Sequence, residues 1–250
     1  MEMFLANIAN GIGVYGLFAA SALIICYVVA IALCVKLKHP TQEQVLVMLG
    51  CMVFLIVGAK LFGFVSYLSF QYSDGQPLDF TAALNRSGIV FYGGLLGYLL
   101  GLRLLLPRAL RHAGGNIKTG YDVAATALPL FHGVARLGCY FSHCCYGVVS
   151  PHFAAFYESR VPTQLIESAF CLVLFVTLIV LLLRRPKTRG KLLPLYMVTY
   201  SVFRFVLEFW RGDAVRGGFW GLSFSQWISV LVWLGLIFWL IGRKKRALSA

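Results

Sequence analysis

The sequence predicts an all-α polytopic membrane protein of seven transmembrane helices, its N-terminus outside and its C-terminus cytoplasmic. Three observations carry that prediction. Of 250 residues, 60% are hydrophobic and 12% are charged, whereas a soluble domain carries about 25% charged residues. The apolar residues fall into blocks near the roughly 20 residues that span a bilayer. These blocks are 12–35, 45–68, 89–106, 122–142, 164–183, 192–210 and 224–242. Finally, the basic residues gather on alternate connections.

That alternation sets the orientation. Lys36 and Lys38 follow the first block, and Arg103, Arg108, Arg111 and Lys118 follow the third. Arg184, Arg185, Lys187, Arg189 and Lys191 follow the fifth, and Arg243, Lys244, Lys245 and Arg246 follow the seventh. Together these are 15 of the 22 basic residues. The opposite side has only Arg86, Arg160, Arg211 and Arg216. An excess of Lys and Arg marks cytoplasmic loops, which places 36–44, 103–121 and 184–191 in the cytoplasm. The same distribution explains the net charge of +13 without nucleic acid as a partner. The C-terminal basic run reads as a topology signal in contact with anionic membrane lipid.

The first block is too long and too mixed at its end for a cleaved signal peptide, and no small-residue cleavage site follows it. The chain shows no fixed-period repeat. Residues 1–250 read as one integral membrane domain with outer connections at about 69–88 and 143–163. Pro77, Asp79, Asn85, Pro151 and Pro162 punctuate these connections. Loops of that length are where function concentrates.

Lys60, Arg136 and Arg204 lie inside apolar blocks. A charge at a helix centre costs about 2.5–3.5 kcal/mol on insertion scales, so it faces a partner, a cavity or a substrate. At 1.5 Å per residue, all three sit roughly 18–22 Å into a core of about 30 Å. A shared anionic ligand such as a lipid phosphate explains the common depth, and three separate snorkelling side chains are the alternative. Tyr200, Arg204, Glu208 and Arg211 are spaced four, four and three, which predicts one helix face. Glu208 can then orient either arginine, and a guanidinium grips a phosphate through two parallel hydrogen bonds. Gly93, Gly97 and Gly101, with Gly94 beside them, suit close helix packing or a backbone bared for a lipid head group.

Seven cysteines are present. Cys26, Cys34, Cys51 and Cys171 lie within apolar blocks and read as small hydrophobes. Cys139, Cys144 and Cys145 cluster with His132 and His143 at the outer end of the fourth block. Their spacing matches no common zinc pattern, so no metal site is expected. A disulfide from Cys139 to Cys144 or Cys145, a nucleophilic Cys144 beside His143, and inert packing all remain open.

Two stretches bear a specific resemblance. Gly133-Val134-Ala135-Arg136-Leu137-Gly138-Cys139-Tyr140-Phe141, with Gly147 trailing, is one. The run from Tyr200 through Arg204 and Glu208 to Arg211-Gly212-Asp213 is the other. Both resemble bacterial prolipoprotein diacylglyceryl transferases. Shorter echoes occur in the same order at Gly58-Ala59-Lys60, Tyr92-Gly93-Gly94-Leu95-Leu96-Gly97 and Pro162-Thr163-Gln164-Leu165-Ile166-Glu167.

The resemblance implies a cofactor-free enzyme of the bacterial cytoplasmic (inner) membrane. It implies transfer of a diacylglyceryl group from phosphatidylglycerol to a cysteine thiol of an exported lipoprotein precursor. It puts Arg136, Arg204 and Glu208 in catalytic roles, with Tyr92 where the family has the histidine considered as the thiol's base. A phenol with an ordinary pKa of about 10 is a poor base at neutral pH, and His132 or His143 would substitute. Lys60, Gly93, Gly94, Tyr200, Arg211, Cys139 and Cys144 would bind substrate. The chain departs from the family's usual histidine at Tyr92, its asparagine at Cys139 and its acidic residue at Cys144. A related transferase with another acceptor, or with an enzyme-cysteine intermediate, is one alternative. A non-catalytic lipid-binding or transport protein is the other.

Overall fold

The computed structural model describes residues 2–88, 90–212, 218–219 and 221–248, with 2–12, 73, 218–219, 239–240 and 243–248 as backbone alone. Asp213 and Arg216 lie outside the described residues. Each of the seven apolar blocks holds a helix. In chain order the helices are α1 (Glu2–Leu37), α2 (Thr41–Ser73), α3 (Phe80–Arg86), α4 (Phe91–Ala113), α5 (Ile117–Phe141), α6 (Thr163–Arg184), α7 (Leu192–Leu207) and α8 (Phe224–Leu248). A minimal antiparallel ladder, β1 (Gly218–Phe219) and β2 (Leu222–Ser223), precedes α8.

Among the described residues, five segments are long and apolar enough to cross a membrane: Gly13–Leu37, Thr41–Tyr72, Phe91–Ala113, Thr163–Arg184 and Leu192–Trp210. They turn large apolar side chains outward, among them Ile24, Val28, Val53, Ile56, Val57, Val173 and Val176. This is the surface a lipid solvent favours and water does not. The helix α5 is outside that group because it sits inside the bundle. Every residue from Asp122 to Leu130 is buried, and α1, α4, α6 and α7 all pack on it. A helix surrounded by protein does not need an apolar surface, so α5 can carry Asp122, His132 and Arg136. Its run of Ala124, Ala125, Thr126 and Ala127 lets neighbours approach closely.

Local signals set the element ends. Asn116 caps α5, its side chain accepting from Lys118 N at 2.9 Å. Gly114 ends α4 in the left-handed region at φ 70°, as a helix C-terminus commonly requires. The buried Asp122 accepts from Gly190 N at 2.5 Å and from Leu192 N at 3.1 Å. It thereby ties the start of α7 to α5 and places a carboxylate at a helix N-terminus, where the dipole favours it.

The predicted outer connection at 69–88 contains the last turn of α2 and all of α3. Its helix is capped by Asp79, which accepts from Ala82 N at 2.8 Å. The connection at 143–163 holds two 3-10 turns, Pro151–Phe153 and Tyr157–Ser159. It is knitted to the end of α7 by Val148 N to Trp210 O at 3.0 Å and Gly212 N to Tyr146 O at 3.2 Å.

Candidate active site

Glu167, four residues into α6, is fully buried at 0% exposure and gathers three side chains. Arg136 Nη2 of α5 lies 2.6 Å from its Oε2. Tyr200 of α7 donates its hydroxyl to Oε1 at 2.8 Å, and His132 Nε2, one turn before Arg136, is 3.3 Å from the same oxygen. In the Nε2–H tautomer the other ring nitrogen accepts from the Cys171 thiol, 3.6 Å away. Phe91 of α4 stacks on the His132 ring at 3.8 Å, and Tyr200 meets both edge-on. Three helices therefore meet at one carboxylate, and α4 packs against its partners through Phe91.

The second pair stands beside the first. Arg204 and Glu208 approach to 2.5 Å at the i, i+4 spacing, and Arg204 lies one turn beyond Tyr200 on α7. Arg204 Nη2 lies 3.5 Å from Ser225 Oγ on α8. Ser229 Oγ gives its single hydrogen to Ser225 O at 2.9 Å, so the Tyr92 hydroxyl, 2.8 Å from Ser229 Oγ, is the donor there. That bond ties α4 to α8 and commits the phenolic proton.

Each guanidinium is thus neutralised by its own carboxylate while keeping donors in hand. Arg136 is 6% and Arg204 2% exposed. Among the described residues, Arg136 Nε and Arg204 Nη1 are buried without a hydrogen-bond partner. An unsatisfied buried donor is costly, and it has a use where an anion docks. The structure realises one of the two expected pairings of Glu208 and adds a pair the spacing did not reveal. Glu208 serves Arg204, and Arg136 has a carboxylate of its own in Glu167.

The prolipoprotein diacylglyceryl transferase family model matches residues 4–241. The chain belongs to the prolipoprotein diacylglyceryl transferase family. A phosphatidylglycerol–prolipoprotein diacylglyceryl transferase of Streptococcus sanguinis is 32% identical over 211 residues, 77% of this chain and 76% of the relative. One from Bordetella avium is 29% identical over 203 residues, covering 76% and 74%. A Clostridium perfringens transferase, the second of that name, is 33% identical over 159 residues, and the match spans 60% of each chain.

In this diacylglyceryl transferase the fold brings Arg136, Tyr200, Arg204, Glu208 and Tyr92 into one cluster and places the other candidates around it. Lys60 Nζ donates to Ser87 O at 2.8 Å, at the end of α3. Gly93 and Gly94 are spent on packing. A Cβ at Gly93 would stand 2.5 Å from Gly58 O, and one at Gly94 3.3 Å from the Ala59 Cβ. The expected four-residue helix face stops early, because α7 ends at Leu207 and Glu208–Trp210 is a 3-10 turn. Arg211 therefore leaves the helix and bridges Gly147 in the connection at 143–163. His143 joins a second cleft. Its ring stacks on Tyr157 at 4.1 Å, beside Tyr146, over which Arg160 lies at 4.2 Å.

Two further features border the cluster. A cavity of about 370 Å³ is lined by Phe153, Val161, Ile166, Phe203, Val206, Leu207 and Trp210. It is apolar, and its walls include Ile166 and Phe203, the sequence neighbours of Glu167 and Arg204. On the other side Cys139 Sγ lies 3.9 Å from Arg136 Nη1. Cys144 N and Sγ approach Cys139 O at 3.1 and 3.6 Å. Hydrogen bonding to the Cys139 and Cys145 thiols, together with burial, pushes the Cys144 thiol above its ordinary pKa. A thiol held protonated is a weak nucleophile.

Proposed function

We propose that this transferase moves the diacylglyceryl group of phosphatidylglycerol onto the lipobox cysteine thiol of an exported prolipoprotein, releasing glycerol phosphate. The observation that carries this reading is the pair of buried arginines, each keeping an unbonded N–H within one cluster. Three relatives are named for this reaction.

In this mechanism Arg136 and Arg204 grip the lipid phosphate through donors that their carboxylates leave open. The substrate sulfur attacks the diacylglycerol carbon next to the phosphate, a C–S bond forms, and the C–O bond breaks. The electron pair leaves on the phosphate oxygen. The departing monoester carries one more charge than the diester, and the thiol's proton balances it. Preplaced donors act most strongly where that charge develops. Glu208 orients Arg204, while Glu167 and Tyr200 orient Arg136. Tyr92, standing where the family usually has a histidine, positions α8 beside Arg204 and is not the group that takes the thiol's proton. Lys60 and Arg211 stand at the polar edges, Cys139 and Cys144 line the outer end, and His143 meets the incoming peptide. The apolar cavity between α6 and α7 suits an acyl chain.

The same reading places seven spans in a bacterial cytoplasmic membrane, N-terminus outside, with α5 and α8 crossing among the five more apolar segments. Basic residues on alternate connections support that orientation. The test incubates purified protein with labelled phosphatidylglycerol and a lipobox peptide. A labelled thioether peptide and free glycerol phosphate are the expected products. Release of glycerol phosphate without labelled peptide would sink the acceptor assignment, and no release would sink the reaction.

A further inference from the structure

Outside the arginine cluster, the outer end of α5 assembles three thiols. The Sγ atoms of Cys139, Cys144 and Cys145 all lie within 4.8 Å of one another, and all seven cysteines are in the thiol form. Cys144 and Cys145 are neighbours in sequence, and in extended backbone neighbouring side chains point apart. Here His143 and Cys145 hold positive φ values of 50° and 62°, a conformation that L-residues adopt at a cost. The turn is pinned from α6. Gln164 Nε2 donates to Cys144 O at 2.7 Å, and Thr163 Oγ1 donates to Cys145 O at 3.1 Å. Strained backbone fixed by two side-chain bonds thus holds the sulfurs toward one point.

We propose that Cys139, Cys144 and Cys145 form a three-thiol site for a soft cation of the monovalent copper class, and that its occupation inhibits transfer by drawing Arg136 away from the lipid phosphate.

Geometry and ligand chemistry choose the ion. With metal–sulfur bonds of about 2.3 Å, three sulfurs in a trigonal plane stand about 4.0 Å apart. The cluster reaches that spacing by side-chain adjustment. Zinc favours four ligands, and among the described residues no histidine, carboxylate or fourth cysteine joins the three. All-thiol sets select soft ions such as monovalent copper. Cys139 is buried, while Cys144 and Cys145 are half-buried, so an ion has an approach from the outer connection.

On binding, each ligating thiol releases its proton to solvent. Three thiolates around one monovalent cation leave a double negative charge. That charge forms 3.9 Å from Arg136 Nη1. It competes directly for the guanidinium that, on the function proposed above, holds the phosphate; the inhibitory half of the proposal rests on that reading.

The experiment uses the reduced full chain in detergent, kept anaerobic. Copper(I) is titrated against a chromophoric copper(I) chelator, and transfer to a lipobox peptide is measured on the same samples. One equivalent is expected to be retained by the wild type. Retention should fall at least a hundredfold in C145S, which leaves Cys26, Cys34, Cys51 and Cys171 in place. Copper should raise the KM for phosphatidylglycerol at least tenfold in the wild type, reversibly with excess chelator, while C145S stays active and insensitive. Equal retention by the two proteins, or none by either, overturns the site. Retention with unchanged transfer overturns the inhibition. If the copper-free enzyme transfers nothing, the function reading fails, and the retention of copper by wild type against C145S still decides the site.

Discussion

Replacing Glu167 by glutamine keeps the side chain's volume and removes its charge. The carboxylate is fully buried and takes an ion pair from Arg136 at 2.6 Å, a hydroxyl from Tyr200 at 2.8 Å, and a contact from His132 at 3.3 Å. In Glu167→Gln the Arg136 guanidinium, itself 6% exposed, is left with no counter-charge in a low-dielectric interior. Breaking a buried pair from one side costs about 3–5 kcal/mol. For a chain of this length that corresponds to roughly 6–20 °C in melting midpoint. Tyr200→Phe removes one hydrogen bond to a charged group and should cost less, about 1.5–3 kcal/mol. Glu158→Gln is the control, because its pair with Arg160 at 2.8 Å is solvent-exposed; its midpoint should match the wild type. The assay is thermal unfolding of detergent-solubilised protein by size-exclusion chromatography, with transfer measured on the same samples. Transfer by Glu167→Gln should also fall, since Arg136 loses its orientation. A Glu167→Gln protein that melts within 2 °C of wild type and transfers normally would refute the reasoning.

Arg204→Lys keeps the charge but cannot both pair with Glu208 and present a second planar donor; losing one charged hydrogen bond of about 1.5–3 kcal/mol should lower kcat roughly ten- to hundredfold, and steady-state kinetics near wild type would count against the clamp. Gly97→Ala puts a Cβ 2.0 Å from Phe54 O, a backbone atom that cannot swing aside, so α2 and α4 must separate at a cost of about 1–3 kcal/mol, read as a lower melting midpoint. Incubation with phosphatidylglycerol alone should leave the intact mass unchanged, and a diacylglyceryl increment absent from Cys144→Ser would instead establish an enzyme-cysteine route. Burial holds the His39 ring, 3.2 Å from Gln44 Oε1, below its ordinary pKa, against the raising effects of Gln44 and Glu43. The unfolded chain then binds the proton more readily, so stability is present above about pH 6.5 and is lost as pH falls; the melting midpoint of wild type should drop from pH 7.5 to 5.5 more than that of His39→Leu.

Much of this was legible in the sequence because a membrane makes charge conspicuous. Arg136 and Arg204 stood out as cations in apolar blocks, and the i, i+4 spacing found the partner of one of them. Glu167 carries the same signal, an acid inside the block 164–183, but its partners lie on other helices, so no spacing within its own block points to Arg136. Arg211 was placed on the helix face because spacing alone does not reveal that α7 tightens and ends after Leu207. The burial of α5 was also illegible. Hydropathy reads composition, and a helix sheltered by its neighbours is free to be polar. The clustering of Cys139, Cys144 and Cys145 was legible, but the convergence of their three sulfurs was not, because it depends on positive φ at His143 and Cys145, which no spacing rule anticipates.

The interior position of α5 has a consequence for how the chain enters its membrane. Under the seven-span arrangement, α5 emerges from the ribosome before the helix that neutralises it. Asp122 waits for the amides of Gly190 and Leu192, and Arg136 waits for Glu167 on α6. Alone, α5 is a poor candidate for partition into lipid. It is followed by α6, whose apolar surface is among the strongest in the chain. The two helices therefore have reason to enter together as a hairpin, with the Arg136–Glu167 bond closing as they do. A chain that lost Glu167 would carry Arg136 into the membrane with its charge unpaired, so the contact that organises the chemistry also eases the entry of the hairpin.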